Sequence, residues 1–422
     1  MASTLIKADR VFDGHSMRSN EPLNILVRDG RIVGFGPISP EDALAQDSDC
    51  NVIDARGLTV LPGLIDAHFH AVSFALNITA IDQAHPSYRA LDARAHLEAA
   101  LRRGFTTVRD AGGADIGLVR ATAEGLIDGP RLLIAGKALS QTGGHGDMRA
   151  AESTGSCGCG YSGALSLVVD GPEQMRACVR DQLRQGADHI KLFVSGGVLS
   201  PTDPIWMDQL TDPEIRAAVE EARTRRTYVM AHAHTANAVR RCIANGVRSI
   251  EHGTFIDRSS ADIVAAADAF VVPTLSIVDA LLSSPLNLPA PARSKLAEVG
   301  GAAGAAVEHC AAAGVRLGFG TDLFGTLRNS QCDEFVARAR IQTPLDVLRS
   351  ATTVNAEILG LTGEIGTIAP GAAADLIAVA GDPAKDIAIL ARPEVNQMLL
   401  MRAGRVILNR TTAEGALPRR TQ

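Results

Sequence analysis

The sequence of 422 residues lacks any run of about 18 apolar residues, which is the length that a membrane-spanning helix requires. The N-terminal segment MASTLIKADRVFDGH also lacks a basic stretch followed by an apolar one, the pattern of a secretory signal peptide. We therefore expect no membrane partner, and we expect a protein that stays in the cytoplasm.

Basic charge and cysteine are also scarce. The chain carries 41 lysines and arginines against 47 aspartates and glutamates, a formal net charge of -6, so it offers no basic surface to a phosphate backbone. We expect no nucleic-acid partner. The seven cysteines are odd in number and scattered, which argues against a disulfide framework and favours a reducing cytoplasm. Cys157 and Cys159 form a C-x-C pair without a second pair at zinc-ribbon spacing, and we interpret the segment as a plain loop.

Short apolar segments broken by Gly and Asp stand at both ends of the chain. The N-terminal ones are LIKADRVFDG, LNILVRDGRIVGFG and NVIDARGLTVLPG, and the C-terminal ones are ADLIAVAG and QMLLMRAGRVILN. Segments of this kind are typical of β-strands. We predict that residues 1–60 and 365–422 together form a small β-sandwich domain.

The middle of the chain alternates short apolar runs with helical patterns such as ALDARAHLEAALRRG and DPEIRAAVEEARTRR. This alternation is typical of βα units and a parallel sheet. Eight runs are candidate strands: LPGLIDAHFH, FTTVRDAGG, PRLLIAGKALS, HIKLFVSGG, TYVMAHAHT, SIEHGT, FVVPTLS and RLGFGTD. We predict an α/β fold in which residues 61–364 form a (β/α)₈ barrel.

Ionisable side chains collect at the C-terminal ends of these runs, where a barrel keeps its active site. Side chains two residues apart on a strand point to the same side, so both imidazoles of the H-x-H pair in DAHFH can face one ion. Nitrogen and oxygen ligands without thiolate suit zinc, with manganese, cobalt or iron as substitutes. Six residues at the ends of five predicted strands together predict a metal site: His68, His70, Lys191, His232, His252 and Asp322.

Lys191 has two interpretations. Burial disfavours the ammonium form, so a lysine that points into a barrel is costly unless it is paired or neutralised. The first interpretation is a salt-bridged lysine at the start of a strand. The second is a lysine that has reacted with carbon dioxide to form a carbamate, whose two oxygens can bridge two divalent ions.

Several residues near the expected rim are candidates for contact with a substrate. His145 lies in QTGGHGD, where glycines allow a tight loop that brings the backbone close to a ligand, and a solvent-facing histidine is the alternative. We expect Ser73, Ser195 and Gly196 to contribute to substrate binding as well. His145 and His234 are both candidate donors to a developing oxyanion.

The segments LPGLIDAHFH, HIKLFVSGG, VMAHAHT, SIEHGT and GFGTD, with GEIGTIAPGAAADLIAVAGDP, resemble the binuclear branch of the amidohydrolase superfamily over nearly the whole chain. The resemblance implies that one ion is bound by His68, His70 and Asp322 and the other by His232 and His252. It also implies that carboxylated Lys191 bridges the two ions.

The segments QTGGHGD, KLFVSGGVLSP and AHAHT are similar to those of Xaa-Pro and Xaa-Arg dipeptidases and of ochratoxin-hydrolysing amidohydrolases. This closer resemblance implies two divalent ions, zinc in particular, and a small-molecule amide substrate with an acyl group on a C-terminal amino acid. Ochratoxin A, cleaved to phenylalanine and ochratoxin alpha, is one such amide. We expect Asp322 to act as general base and acid, with His252 and His234 as further catalytic residues. We also expect a homo-oligomer.

Three other functions stay open at this point. They are a cyclic-amide hydrolase of the imidazolonepropionase type, a deaminase on the same barrel, and an amidohydrolase-like scaffold that has lost its chemistry. Mononuclear deaminases of the superfamily usually lack the lysine and carry an acid at the position of His234. The presence of Lys191 therefore favours a binuclear amidase, and retention of all six ligands disfavours a scaffold.

Overall fold

The computed structural model describes residues 3–19, 21–152, 161–285 and 288–411, so the predicted loop with Cys157 and Cys159 lies outside the described residues. The chain divides into two compact units. The first comprises Met1–Ile65, Ala100–Thr107 and Arg338–Gln422, and the second comprises Asp66–Ala99 and Val108–Ala337. Among the described residues, no helix combines the length and the apolar character needed to cross a bilayer.

The strands of the described residues are short. In chain order they are β1 (Thr4–Lys7), β2 (Arg10–Phe12), β3 (Met17–Ser19), β4 (Asn24–Arg28), β5 (Arg31–Gly36), β6 (Asn51–Asp54), β7 (Leu58–Pro62), β8 (Leu64–Phe69), β9 (Phe105–Asp110), β10 (Arg131–Ile134), β11 (Ala138–Ser140), β12 (Ser166–Val168), β13 (Ile190–Phe193), β14 (Val229–Thr235), β15 (Ser249–Phe255), β16 (Phe270–Val272), β17 (Arg316–Leu317), β18 (Leu376–Ala380), β19 (Gln397–Arg402) and β20 (Arg405–Asn409).

Helices separate most of these strands in the middle of the chain. They are α1 (Pro40–Gln46), α2 (Ile78–Gln83), α3 (Pro86–Arg102), α4 (Ile116–Ala123), α5 (Pro172–Arg184), α6 (Asp212–Thr224), α7 (Ala236–Ala244), α8 (Arg258–Ala266), α9 (Leu275–Ser283), α10 (Ala290–Ala312), α11 (Asp333–Ala339), α12 (Pro344–Arg349), α13 (Asn355–Ile358) and α14 (Pro393–Asn396). Gly325–Ser330 and Ile387–Ala391 are 3₁₀-helical, and Ser350–Val354 is a π-helix.

The first unit contains two mainly antiparallel sheets. One has the order β5-β4-β1-β6, and the other has the order β20-β19-β18-β7-β2-β3. Both sheets bury side chains in one hydrophobic cluster, to which Ile6 and Ile25 belong from the first sheet and Val60 and Leu376 from the second. The terminal segments thus form strands, as their pattern predicts.

The second unit contains a parallel sheet of seven strands in the order β12-β11-β13-β14-β15-β16-β17, and β10, β9 and β8 form a further sheet. The N–H of Ala67 donates to the carbonyl of Phe319 at 2.8 Å, and the N–H of Asp322 donates to that of His68 at 2.9 Å. These bonds join the end of β8 to the segment that follows β17. Parallel strands that alternate with helices in this way agree with the predicted TIM-barrel class.

One predicted strand is divided in two. The run PRLLIAGKALS forms β10 and β11, which are separated by Gly136 at a φ of +67°. The next residue, Lys137, donates its N–H to Oε1 of Gln182 at 2.7 Å instead of to a neighbouring strand. The left-handed backbone of Gly136 and the hydrogen bond of the Lys137 N–H to a side chain interrupt the strand. The pattern of apolar residues in the sequence does not predict this interruption. The sequence also missed β12, a strand of only three residues.

Gly366 in the GEIGTIAPG segment shows why a glycine stands there. Its φ is +71°, and an added Cβ would lie 2.6 Å from the carbonyl oxygen of Thr352 and 3.2 Å from Cβ of Ala356. Gly363 has a φ of +79° but nothing within 4 Å of an added Cβ. Both glycines relieve left-handed strain, but only Gly366 also allows a close approach of backbone.

We therefore expect Gly366→Ala to lower the free energy of unfolding by about 1–3 kcal/mol more than Gly363→Ala, because only the former must displace the π-helix. Thermal melts of the two variants and the wild type measure the difference. Equal losses of Tm would show that the contact with Thr352 is not tight.

Candidate metal centre

The strands bring the predicted ligands to one cavity. His68 lies near the C-terminal end of β8, Lys191 is the second residue of β13, and His232 and His252 lie in the middle of β14 and β15. All six predicted ligands line one cavity that lies within the second unit, and His145 and His234 line it too. None of the described residues that line it is a cysteine, so the donor set is nitrogen and oxygen, as suits zinc.

His68 and His70 both face one carboxylate oxygen. Their Nε2 atoms lie 3.4 and 3.2 Å from Oδ1 of Asp322. Their Nδ1 atoms are already occupied: that of His68 donates to Oε2 of Glu251 at 2.7 Å, and that of His70 donates to the carbonyl of Gly112 at 2.9 Å. Because these partners accept hydrogen bonds, the neutral form of each ring has its lone pair on Nε2. Two lone pairs and a carboxylate oxygen that converge in this way fit a cation.

The other two histidines of the predicted ligand set are held in a similar manner. Nε2 of His232 donates to the carbonyl of Gly196 at 3.1 Å, which leaves Nδ1 as the available nitrogen. Nδ1 of His252 lies 2.8 Å from the hydroxyl of Thr274, which leaves Nε2. The two rings lie 4.7 Å apart between their centres. A neighbouring group that holds one ring nitrogen orients the other, which is typical of metal-binding histidines.

One subset of these residues meets the distance requirement for a single ion directly. His68, His252 and Asp322 each offer one ligand atom, and the three atoms lie within 4.8 Å of one another.

Lys191 is buried without a direct ion-pair contact among the described residues, although the carboxylates of Glu251 and Asp322 act on its charge. Its side chain is 1% exposed, and its Nζ lies 5.6 Å from the centre of the Phe193 ring. Within the described part of the chain, Lys191 makes no salt bridge. Burial lowers the pKa of this amine to about 8. The salt-bridged interpretation of Lys191 therefore finds no partner among the described residues, and a neutral amine is accessible near neutral pH.

Two candidate ligands have strained backbone. His252 has a φ of +67° and Asp322 a φ of +56°, although neither residue is a glycine. Left-handed backbone costs such residues about 1–2 kcal/mol each. Strain that persists in a folded structure is typical of functional sites, where the surroundings impose it. The backbone thus indicates that the position of these two side chains is constrained.

Glu251 and Arg109 form a buried ion pair behind His68. Nη2 of Arg109 lies 2.9 Å from Oε1 of Glu251, and neither side chain is exposed. Burial alone would raise the pKa of Glu251, but the guanidinium of Arg109 and the ring of His68 hold this pKa at about 2. The role of Glu251 was not predicted from the sequence. The available signal was an acid inside a predicted barrel strand, immediately before His252 in SIEHGT.

Charge near Asp322 follows the same logic. Burial alone would raise the pKa of this carboxyl, but the neighbouring His68 and His70 hold it well below its usual range.

Burial lowers the pKa of His234 to about 3, so that ring is neutral. Its Nδ1 lies 2.8 Å from the hydroxyl of Thr254. His145 stacks on His232 at 4.4 Å, with its Nδ1 2.8 Å from the hydroxyl of Ser200.

The structure does not bring Ser73, Ser195 and Gly196 to the cavity lining. The hydroxyl of Ser73 bonds the carbonyl of His70 at 2.7 Å, and that of Ser195 accepts the N–H of His234 at 2.8 Å. The carbonyl of Gly196 accepts from His232. In these positions, all three residues hold the segments that carry the histidines.

Comparisons with known proteins agree with the motifs and the geometry. The Amidohydrolase family model matches residues 59–407. Ochratoxinase from Aspergillus niger is 31% identical over 349 residues, which cover 79% of this chain and 73% of that protein.

Two crystal structures of peptidases are similar over nearly the whole chain. One is a prolidase complexed with N-methylphosphonate-L-proline, at 40% identity and a TM-score of 0.91, covering 97% of this chain and 100% of that one. The other is a Xaa-Pro dipeptidase with methionine bound in its active site, at 33% identity and a TM-score of 0.84, again covering 97% and 100%. The chain therefore belongs to the amidohydrolase family and is a hydrolase of amide or peptide bonds, as its motifs predict.

Proposed function

We propose that this protein is a binuclear metal-dependent amidohydrolase that cleaves the amide between an acyl group and a C-terminal amino acid. The observation that carries the proposal is the convergence of His68 and His70 on one oxygen of Asp322 inside a cavity with four further histidines and a buried lysine. Similarity to a prolidase, a Xaa-Pro dipeptidase and ochratoxinase supports the substrate class. Ochratoxin A is one candidate substrate.

In this proposal, His68, His70 and Asp322 would hold one zinc ion, and His232 and His252 would hold a second. Divalent ions in such a site lower the pKa of a water molecule and polarise a carbonyl oxygen. The orientation of each ring by Glu251, Gly112, Gly196 or Thr274 supports these assignments. Lys191 would complete the site as its carbamate.

The surroundings of Lys191 suit carbamate formation. Its pKa of about 8 leaves part of the population neutral, and a neutral amine nitrogen can attack carbon dioxide. A bond forms between nitrogen and carbon, one proton leaves, and an anion with two oxygens results. The carbamate would replace a cation that has no ion-pair partner among the described residues by an anion next to the proposed metal ligands.

Asp322 and His234 have distinct proposed roles in proton transfer and charge stabilisation. Asp322, ionised because its pKa is well below the usual range, accepts a proton from the attacking water and delivers it to the departing amine nitrogen. His234 lies outside the proposed ligand set. Its Nδ1 can accept from the hydroxyl of Thr254, so its Nε2–H is free to donate to the oxyanion.

The first unit carries a separate structural proposal. We propose that its two sheets pack face to face as the small β-sandwich that the sequence predicts, because Ile6 and Val60 belong to one hydrophobic cluster. A crystal structure in which the two sheets bury separate cores would contradict this arrangement.

We expect the purified protein to hold close to two divalent ions per chain and Lys191→Ala to lose metal and activity together, because no other residue of HIKLFVSGG could bridge the pair. Added short carboxylates should restore part of the activity by supplying the bridging oxygens. Metal analysis and the intact mass under carbon dioxide measure both effects. An unmodified lysine with both metals bound would overturn the carbamate.

We expect Asp322→Asn to lower kcat by about a hundredfold or more, with a smaller effect on KM, because the amide keeps the shape but cannot carry the proton. Steady-state kinetics at matched metal content separate this effect from loss of metal. A variant that keeps more than about a tenth of wild-type kcat would reject the proton role.

The C-terminal carboxylate of the proposed substrates needs a partner in the cavity. Among the described residues that line the cavity there is no arginine, so His145 is the candidate to orient a free carboxylate. We expect dipeptides to have kcat/KM values at least about tenfold above those of their C-terminal amides, and ochratoxin A to exceed its methyl ester similarly, a difference of about 1.4 kcal/mol. Equal values within each pair would instead favour a cyclic-amide or ester substrate, or deamination.

A further inference from the structure

The catalytic cavity has two chemically different parts. One part, here called the floor, carries the ionisable side chains among the described lining residues, which are six histidines, Lys191 and Asp322. The other part, here called the wall, is apolar and comes from two helices that contribute no ligand. It consists of Leu275, Val278 and Leu281 of α9 with Leu296, Val299 and Ala303 of α10.

The wall follows from the spacing of its residues. Leu275, Val278 and Leu281 are three residues apart, and Leu296, Val299 and Ala303 are three and four apart, so each set lies on one face of its helix. Leu282, next to Leu281 but on another face, is 54% exposed. The apolar faces of both helices are therefore directed to the cavity by the helical period.

Apolar packing and two hydrogen bonds hold the wall in position. Leu281 and Leu296 belong to a hydrophobic cluster that also contains Leu323, the neighbour of Asp322. Nζ of Lys295 in α10 donates to the carbonyls of Ser200 and Asp203 at 2.9 and 3.0 Å. Val198 and Leu199, which directly precede Ser200, line the cavity as well. These contacts make the apolar surface a fixed part of the site.

An apolar wall selects by size and polarity. A polar substituent placed against the wall would lose its hydrogen bonds to water without gaining new ones. An apolar substituent would bind more tightly, because its removal from water is favourable in free energy. Fifteen of the 26 described residues that line the cavity are apolar, so most of the surface that a bound substrate meets is apolar.

We propose that the substrates carry a large aliphatic or aromatic group on one side of the scissile amide, and that the wall of α9 and α10 buries this group. The inference rests on the proposed amide hydrolysis and specifies its substrate class. The residue at position 303 sets the size of the group that fits. The small, partly buried side chain of Ala303 leaves room for the group, and a larger residue would fill that room.

Two series of amides test the proposal with the metal-loaded protein. One series lengthens the acyl chain of N-acylglycines from acetyl to octanoyl, and the other enlarges the C-terminal residue of acetyl-amino acids from glycine to phenylalanine. We expect kcat/KM to rise about threefold to fourfold per buried methylene in at least one series. The series that responds identifies the side of the amide that the wall reads.

Two variants that replace an alanine of α10 by leucine provide a matched comparison. Ala303→Leu fills the cavity, whereas Ala305→Leu makes the same change at an exposed position two residues away. We expect Ala303→Leu to lower the ratio of kcat/KM between the longest and the shortest substrate about tenfold or more, and Ala305→Leu to leave this ratio at its wild-type value. Equal ratios in the two variants would overturn the role of Ala303.

Binding measurements separate failure of this inference from failure of the proposed function. The fatty acids from acetate to octanoate are titrated calorimetrically into the wild type and both variants. Cleavage of short amides with no length dependence in rate or binding would overturn the inference and keep the function. If no amide is cleaved, the proposed function fails. The proposed role of the wall is then kept only if the affinity for fatty acids rises with chain length and Ala303→Leu removes the rise.

Discussion

The geometry of the candidate site depends on the buried contact between Glu251 and His68. A carboxylate without exposure is unstable unless it is paired, and Arg109 provides the pair while donating from Nε to the carbonyl of Ala67 at 2.6 Å. That carbonyl belongs to the residue immediately before His68. The same network therefore fixes the strand and the ring, and the proton on Nδ1 leaves Nε2 of His68 free to face Asp322.

Several features of the floor are unfavourable in isolation, which is the usual sign that a site is kept for function. An amine without an ion-pair partner among the described residues is buried at Lys191, and the backbone is left-handed at His252 and Asp322. Burial lowers the pKa of His232 well below its usual range, so this part of the core has basic groups held uncharged. Divalent ions bound by these groups would offset part of the cost, because they bind the folded state alone.

The sequence predicted the residues of the site better than the contacts between them. Period-two placement on strands was enough to predict that His68 and His70 share a side, and the position of Lys191 in a strand predicted its burial. Side-chain hydrogen bonds do not follow any period. For that reason the capture of the Lys137 N–H by Gln182, and the position of Ser195 beneath the backbone of His234, were not predictable. The wall was also missed, because an apolar helix face that lines a cavity has the same pattern as one that packs in a core.

The division between floor and wall has a consequence for how specificity is set. Chemistry depends on the floor, where Glu251, His68 and Asp322 are coupled by direct contacts, so a change at any one of them disturbs the others. The wall contributes no group to that network. If the wall buries the apolar group of the substrate, a substitution that faces the cavity, such as Ala303→Leu, would change which amide is buried, and binding energy from the apolar part of the substrate would orient the amide over the floor. Ochratoxinase and prolidase, named for different substrates, both resemble this chain over most of its length. Chemistry that depends on the floor and substrate size that depends on the wall would together allow one scaffold to serve such different amides.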